Sequence, residues 1–194
     1  MWTIALFFAI LAAAGIVGLD RMVDQWLPAP VPGSIWAQGL ALADLVSTRD
    51  AADWLLPFIL ALAGLILLVL SSTRPIGWPL FYLGTAALLA YLAAELPRAL
   101  FGRVRPSEVL PGVDLWFASG ASFPAGPAGY YAGLFLPLVI LFPRLSPVWV
   151  LPPLLVSAAL VVEQDHYLSD VSAALALAAA LAAGLSFLAE KGRN

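Results

Sequence analysis

The sequence predicts an all-α integral membrane protein, a bundle of six transmembrane helices that forms a single domain over residues 1–194. Three observations lead to this prediction. The chain is 62% hydrophobic and only 11% charged, whereas charged residues make up about 25% of a typical soluble domain. Its mean hydropathy is +0.96. Six apolar runs also approach the ~20 residues that a helix needs to cross a bilayer.

The six apolar runs define the predicted spans and the segments between them. They lie near residues 2–19, 54–70, 78–96, 127–142, 147–162 and 171–189. The first run lacks a cationic leader, and Leu19–Arg21 does not have the small-residue pattern of a signal-peptidase site, so we expect a retained helix. A proline-bounded turn at 142–147 joins the fourth and fifth runs. Aromatic and aliphatic residues at helical spacing over 34–46 predict an interfacial helix.

Composition also excludes several classes of site. The chain has no cysteine, which excludes disulfides, thiolate catalysis and cysteine-based metal sites. Nine scattered Lys and Arg residues form no tract for binding nucleic acid. With one histidine and dispersed carboxylates, no metal site and no cofactor is expected.

The distribution of basic residues predicts the orientation. If the amino terminus is cytoplasmic, the inner segments carry Arg74, Arg144, Lys191 and Arg193, and the outer segments carry five arginines. Three of those five, Arg98, Arg103 and Arg105, fall in one loop where a binding role would retain them. Without them the positive-inside rule favours cytoplasmic termini, four to two.

The outer face collects the residues that carry chemistry. His166 stands four residues before Asp170, so on a helix the carboxylate can hold one imidazole nitrogen and leave the other free to attack. The alternative is a polar pair at a membrane boundary. Arg98 and Arg105 are seven residues apart, so both guanidiniums can fork around a phosphate or carboxylate. Alternatively, they anchor a helix end to lipid headgroups.

Three segments on this face resemble the signature of the type 2 phosphatidic acid phosphatase (PAP2) superfamily. They are Arg98-x6-Arg105-Pro106, Phe123-Pro-Ala-Gly-Pro127 and His166-x3-Asp170. The family patterns are Lys-x6-Arg-Pro, Pro-Ser-Gly-His and Ser-Arg-x5-His-x3-Asp. The resemblance covers roughly the second half of the chain and implies a six-helix membrane fold with lipid-phosphatase ancestry.

The resemblance also implies roles for individual residues. His166 corresponds to the nucleophile that takes up the phosphoryl group, and Asp170 to the carboxylate that orients it. Arg98 takes the place of the first-motif lysine, and Arg105 matches the phosphate-binding arginine. Gly126 matches the glycine whose backbone N–H faces the phosphate.

The departures from the family pattern concern proton transfer and charge. Ala125 and Pro127 replace the second-motif serine and the histidine that protonates the leaving group, and Ala159-Leu160 replaces the third-motif Ser-Arg pair. Losing a general acid typically costs about 10²–10⁴ in rate. Losing a preorganised charge donor costs roughly another 10²–10³.

Other groups are candidate substitutes for the missing ones. Arg103 replaces the lost guanidinium if it points inward. Glu163 and Asp165 flank the nucleophile position, but only a raised pKa makes either an acid. A diphosphate leaving group needs no protonation.

Three hypotheses follow. The favoured one is a PAP2-like pseudoenzyme that binds lipid headgroups, including lipid phosphates, or serves as a structural subunit beside other membrane proteins. The alternative is an atypical lipid phosphatase, diphosphatase or phosphotransferase acting through a phosphohistidine at His166. A small transporter has little support, because no span carries an ionisable residue far from its ends. The expected location is the bacterial inner membrane, with the site on the non-cytoplasmic face.

Overall fold

The computed structural model describes residues 1–27, 31–47, 54–70, 73–109 and 114–191, and over these residues the chain is helical without strands. Seven helices of seven residues or more follow one another. They are α1 (Trp2–Trp26), α2 (Ile35–Ser47), α3 (Leu55–Val69), α4 (Arg74–Phe101), α5 (Gly126–Leu141), α6 (Ser146–Val162) and α7 (Leu168–Lys191). The predicted all-α class is confirmed.

Four helical segments within the described residues are long and apolar enough to cross a membrane. They are Trp2–Trp26, Arg74–Glu108, Pro143–Val162 and Leu168–Leu188. The remaining predicted spans correspond to α3 and α5, which are apolar but only 15 and 16 residues long, or about 23 Å at 1.5 Å per residue. The protein is therefore an integral membrane protein, and the crossing of all six runs stays a prediction.

Glycines bring α3 and α4 into backbone contact. A Cβ added at Gly64 would lie 2.1 Å from the backbone nitrogen of Phe81, and one at Gly84 would lie 2.2 Å from that of Ala61. Small residues allow such approach where helices associate in lipid, because van der Waals packing replaces the hydrophobic effect as the driving force. The α3–α4 hairpin is consequently a tight unit that no larger side chain can enter at these positions.

Helix α5 lies at the centre of the bundle, and its beginning meets the beginning of α7. Tyr130 and Leu136 of α5 are almost fully buried, and α5 packs on α4, α6 and α7. Pro127 occupies the first turn of α5, where a missing N–H costs no helical hydrogen bond. The N–H of Ala125 donates to the carbonyl of Asp170 at 3.1 Å, so the second and third motifs are joined directly.

Helix α1 is interrupted by a π-helical turn, Gly15–Leu19, with a kink at Gly18. A Cβ at Gly15 would lie 2.7 Å from both Oδ1 of Asp20 and Cβ of Ser169, so only glycine allows α1 to approach α7 this closely. π-Turns are often found at functional sites. Here the turn places Asp20, which is 5% exposed, inside the bundle.

The predicted interfacial helix corresponds to α2. It begins after Ser34, whose hydroxyl caps it by accepting the N–H of Ala37 at 3.0 Å and donates to the carboxylate of Glu163. This contact ties the start of α2 to the turn after α6. The position of α2 at the membrane interface stays a prediction.

Candidate functional site

The three motif segments meet at the chain stretch just before α5. Nε of Arg98 donates to the carbonyl of Ala121 at 2.9 Å, and Nδ1 of His166 lies 2.8 Å from the next carbonyl, that of Ser122. The N–H of Ser107 donates to the carbonyl of Gln164 at 3.1 Å. The structure therefore brings the first and third motif segments into contact with the stretch before α5, and adjoining residues of the two segments into contact with each other.

His166 is held in one tautomer by its surroundings. The ring is 2% exposed, and its contact with Ser122 is to a carbonyl oxygen, which only accepts hydrogen bonds. In the neutral imidazole Nδ1 must therefore carry the hydrogen, and Nε2 then has the lone pair. This is the tautomer that a nucleophilic or basic imidazole requires.

Asp170 does not make the direct hydrogen bond to His166 that the i, i+4 spacing predicts. Nδ1 of His166 is 3.8 Å from Oδ2 of Asp170, beyond the range of a hydrogen bond. The same Oδ2 accepts the hydroxyl of Ser122 and the N–H of Tyr167, the latter at 2.9 Å. Asp170 thus holds Ser122, and the carbonyl of Ser122 holds the imidazole. The catalytic role of both residues stays a prediction.

Arg103 points into the bundle, where it joins three elements. Nη2 donates to Oδ2 of Asp20 at 2.7 Å, and Nη1 donates to Oγ of Ser169 at 2.6 Å and to Oδ1 of Asp170. Asp20 also accepts the N–H and the hydroxyl of Ser169 at 2.9 and 2.5 Å. We call these four residues the buried network. Because both terminal nitrogens of Arg103 already bind carboxylates, its predicted part in anion binding has no support from these contacts and stays a prediction.

Two aromatic rings enclose the guanidinium of Arg103. Its Cζ lies 4.5 Å from the ring centroid of Trp116 and 3.9 Å from that of Tyr167. Burial raises the pKa of Tyr167 to about 12, so its phenol is neutral at physiological pH. The contact is therefore a cation–π interaction, which strengthens when the cation is desolvated.

Arg98 and Gly126 are brought together, with a carboxylate between them. Nη1 of Arg98 binds Oε1 of Glu95 at 2.5 Å. A Cβ added at Gly126 would lie 1.9 Å from the same oxygen and 3.1 Å from Nη1 of Arg98. The place beside this glycine and this cation, where the family resemblance puts a phosphate, is occupied by the side chain of Glu95.

Arg105 lies at the outer edge of the site. Its Nη1 is 3.7 Å from Oδ1 of Asp165, and the two side chains are 35% and 44% exposed. We call Arg98–Glu95 and Arg105–Asp165 the rim pairs. Every arginine of the first-motif segment is thus matched with at least one carboxylate of the chain.

The positions that depart from the family pattern are buried in apolar surroundings. Ala125 and Leu160 belong to one hydrophobic cluster, and Pro127 is buried in the first turn of α5. The carbonyl of Leu160 accepts the N–H of His166 at 3.2 Å. The side chains at these positions supply no polar atom to the neighbourhood of His166.

Two cavities differ in size and lining. The one that His166 lines, together with Asp24 and Pro106, measures about 10 Å³, close to the minimum for a single water molecule. The other measures about 600 Å³ and lies among α2, α3, α5 and α6, with Trp36, Leu134 and Ala159 in its largely apolar wall. Of these two cavities, the second has the volume of a ligand pocket.

Four residues of the site were not predicted from the sequence: Asp20, Glu95, Ser122 and Ser169. Glu95 had a detectable signal, because it precedes Arg98 by three residues and such residues are neighbours on a helix. Asp20 had a weaker one, an acidic residue at the end of an apolar run. No pattern in the sequence indicated a role for Ser122 or Ser169.

The fold and site define a class, integral membrane proteins built like lipid phosphatases with a buried histidine. A sequence profile of the PAP2 superfamily matches residues 79–192, more than half of the chain, and the protein belongs to this superfamily. The fold is similar to that of a transmembrane PAP2-type phosphatidylglycerolphosphate phosphatase from Bacillus subtilis, with a TM-score of 0.57 and 23% identity over 97% of this chain and 95% of that one. A comparison with curated proteins gave no sequence match.

Proposed function

We propose that the protein is a pseudoenzyme of the PAP2 superfamily, a membrane protein that binds lipid headgroups or supports other membrane subunits without hydrolysing lipid phosphates. One observation carries this proposal. The cations that correspond to the phosphate ligands of the family are already paired with the chain's own carboxylates, Arg98 with Glu95 and Arg105 with Asp165.

Electrostatics explains why this pairing disfavours catalysis. A phosphate dianion entering beside Gly126 meets the carboxylate of Glu95 in its path, and like charges at such distances repel strongly when partly desolvated. Substrate binding would first have to separate Glu95 from Arg98. The cavity of about 10 Å³ beside His166 leaves no volume for a phosphoryl group in this conformation.

The missing proton donor supports the same proposal. An alkyl alcohol is a poor leaving group unless it is protonated as the bond breaks. Pro127, in the position of the family's acid, has no proton to give, and Leu160 offers no positive charge. The buried network is a structural element in this proposal, because its charged side chains bind one another.

The proposal includes location and partners. All six apolar runs cross a bacterial inner membrane, both termini lie in the cytoplasm, and His166 lies towards the opposite side. The partners are membrane lipids, supported by the apolar cavity of about 600 Å³, and other membrane protein subunits.

The test is hydrolysis of phosphatidic acid and of a polyprenyl phosphate by the purified protein in detergent micelles. We expect phosphate release at the background rate, equal to that of the matched His166→Ala variant. Turnover well above background that disappears in His166→Ala contradicts the proposal, because it requires an acid elsewhere in the chain. Restoring the motif residues with Ala125→Ser, Pro127→His and Leu160→Arg should raise turnover, provided that the triple variant still elutes as a folded species.

A second candidate function rests on the tautomer of His166. With hydrogen on Nδ1 and the lone pair on Nε2, attack on a phosphorus whose leaving group needs no proton remains chemically accessible. The bond from phosphorus to the leaving oxygen breaks as the Nε2–P bond forms, and water then releases phosphate. This candidate predicts that lipid diphosphates and aryl phosphates react faster than alkyl monoesters, and that a phosphoryl label on His166 survives base and is lost in acid, as expected for a phosphorus–nitrogen bond.

A further inference from the structure

A polar cavity lies beside the kink of α1. It measures about 400 Å³ and is lined by residues 15–18, Asp20, Arg21, Arg103, residues 114–116 and Tyr167. We call it the kink cleft. His166, Arg98 and Arg105 are not among its lining residues, so its volume is separate from the cavity beside His166, although Arg103 and Tyr167 of the motif segments form part of its wall.

Two charged side chains of opposite sign are available in the kink cleft. Arg21 and Asp114 line it, both residues are exposed, and neither has an ion-pair or hydrogen-bond partner among the residues that the structure describes. Asp20 and Arg103, which also line it, bind each other at 2.7 Å. The cleft therefore offers one cation and one anion without an excess of either charge.

Arg103 belongs to the wall of the kink cleft and carries an unpaired donor. The residue is 2% exposed, and its Nε, in contrast to both terminal nitrogens, has no hydrogen-bond partner within the described part of the chain. Buried N–H groups are rarely left unpaired, since the lost hydration is not recovered. Arg103 lines the kink cleft, but its Nε has almost no accessible surface, so the positive charge at the cleft that a ligand can contact directly is that of Arg21.

The surroundings of the kink cleft indicate what reaches it. Ile16 and Val17, which lie on its wall, are 49% and 88% exposed and belong to the membrane-spanning segment Trp2–Trp26. Apolar side chains exposed on a span face acyl chains. A lipid whose tails lie against Val17 has its headgroup next to Arg21 and Asp114.

We propose that the kink cleft binds the headgroup of a zwitterionic phospholipid, one that carries a phosphodiester and an ammonium group. The phosphodiester binds the guanidinium of Arg21, and the ammonium group binds the carboxylate of Asp114. An anionic headgroup also binds Arg21, but the carboxylate of Asp114 repels it. This site goes beyond the proposed function and holds whether or not His166 is catalytic.

The test is binding of two lipids with identical acyl chains, phosphatidylethanolamine and phosphatidylglycerol, to the delipidated full-length protein, measured by titration in native mass spectrometry. We expect phosphatidylethanolamine to bind about tenfold more tightly, the ratio that 1.4 kcal/mol of preference gives. Asp114→Asn should remove the preference, and Arg21→Gln should weaken both lipids. Arg144→Gln, an exposed arginine in the turn between α5 and α6, is the matched control and should change neither.

Each other outcome contradicts the proposal. Equal affinities, or a preference that survives Asp114→Asn, exclude recognition of the ammonium group. Tighter binding of phosphatidylglycerol identifies an anionic-lipid site instead, and no retained lipid identifies a cleft that holds only water. Since Arg21 and Asp114 are exposed, thermal unfolding of both variants should match that of the unmodified protein, which separates lost binding from lost folding.

Discussion

The buried network and the rim pairs use the same two chemical groups, guanidinium and carboxylate, in contrasting environments. The side chains of Arg103, Asp20 and Asp170 are at most 5% exposed, whereas those of the rim pairs range from 18% to 44%. In the network Arg103 binds all three other members, and Asp20 and Ser169 also bind each other. In each rim pair a single contact joins two side chains. The buried network therefore connects helices, whereas a ligand can displace the exposed contacts of the rim pairs.

Desolvation determines how much each ion pair contributes to the free energy of unfolding. Removing one member of a buried pair leaves a charge that neither water nor a partner stabilises, and it costs about 3–5 kcal/mol. An exposed pair is worth only ~0.2–1 kcal/mol, because water solvates its members almost as well. The comparison predicts that substitutions in the buried network lower the free energy of unfolding more than substitutions in the rim pairs.

The largest effect is expected for Arg103→Met. Asp20 and Asp170 then lose their common cation inside the bundle, so we expect a loss of about 3–5 kcal/mol in the free energy of unfolding. Thermal unfolding in detergent micelles measures it as a lower midpoint. Asp20→Asn should lower the midpoint less, because Arg103 keeps Asp170. If Arg103→Met and the unmodified protein have the same midpoint of thermal unfolding, the buried network does not stabilise the fold.

A smaller loss is expected for Ser122→Ala. The carboxylate of Asp170 then loses the hydroxyl but keeps the N–H of Tyr167 and Arg103, and a hydrogen bond to a charged group is worth about 1.5–3 kcal/mol. Chemical denaturation followed by tryptophan fluorescence measures the change. A nuclear magnetic resonance titration of His166 adds a second readout, since loosening Ser122 should alter the chemical shift of the ring. An unchanged spectrum contradicts the linkage of Asp170 to His166 through Ser122.

Glu95→Gln tests whether the rim is displaceable. Neutralising Glu95 frees Arg98 for a phosphate, and one charge-assisted contact of ~1.4 kcal/mol corresponds to about tenfold in affinity. Equilibrium binding of a short-chain lipid phosphate measures it. Weaker binding in Glu95→Gln than in the unmodified protein shows that the carboxylate helps to hold the ligand.

The smallest effect is expected for Arg105→Gln. Nη1 of Arg105 lies 3.7 Å from Oδ1 of Asp165, and more than one third of each side chain is exposed. The free energy of unfolding should therefore change by less than about 0.5 kcal/mol. Denaturation of Arg105→Gln and Arg103→Met under the same conditions measures the contrast directly. Comparable losses in the two variants contradict the difference between rim and network.

Much of this organisation could be predicted from apolar patterning and local spacing. Every one of the six apolar runs contains a helix, the segment 34–46 overlaps α2, and the PAP2 family is confirmed. The spacing of His166 and Asp170 predicted neighbouring side chains, and Nδ1 of His166 lies 3.8 Å from Oδ2 of Asp170. Local spacing cannot reveal that the carbonyl of Ser122, 44 residues away, takes the hydrogen bond expected for Asp170.

The partners of Arg103 could not be predicted for the same reason. Asp20 is 83 residues away and Asp170 is 67 residues away, and the contact depends on the π-turn that rotates Asp20 towards α7. A π-turn adds one residue to a helical turn and has no sequence signature of its own. The sequence therefore indicated three arginines in one loop, without showing which of them is neutralised in the interior.

The attachment of Asp20 to Ser169 and Arg103 has a consequence for biosynthesis. Spans enter the membrane in chain order, so the first helix arrives with a carboxylate whose guanidinium lies 83 residues downstream and whose second ligand lies 149 residues downstream. Until the last helix is inserted, Asp20 must stay hydrated near the membrane surface or be shielded by an insertion factor. Closure of the bundle is thus a late event, because the contact between α1 and α7 forms only after Ser169 has been synthesised.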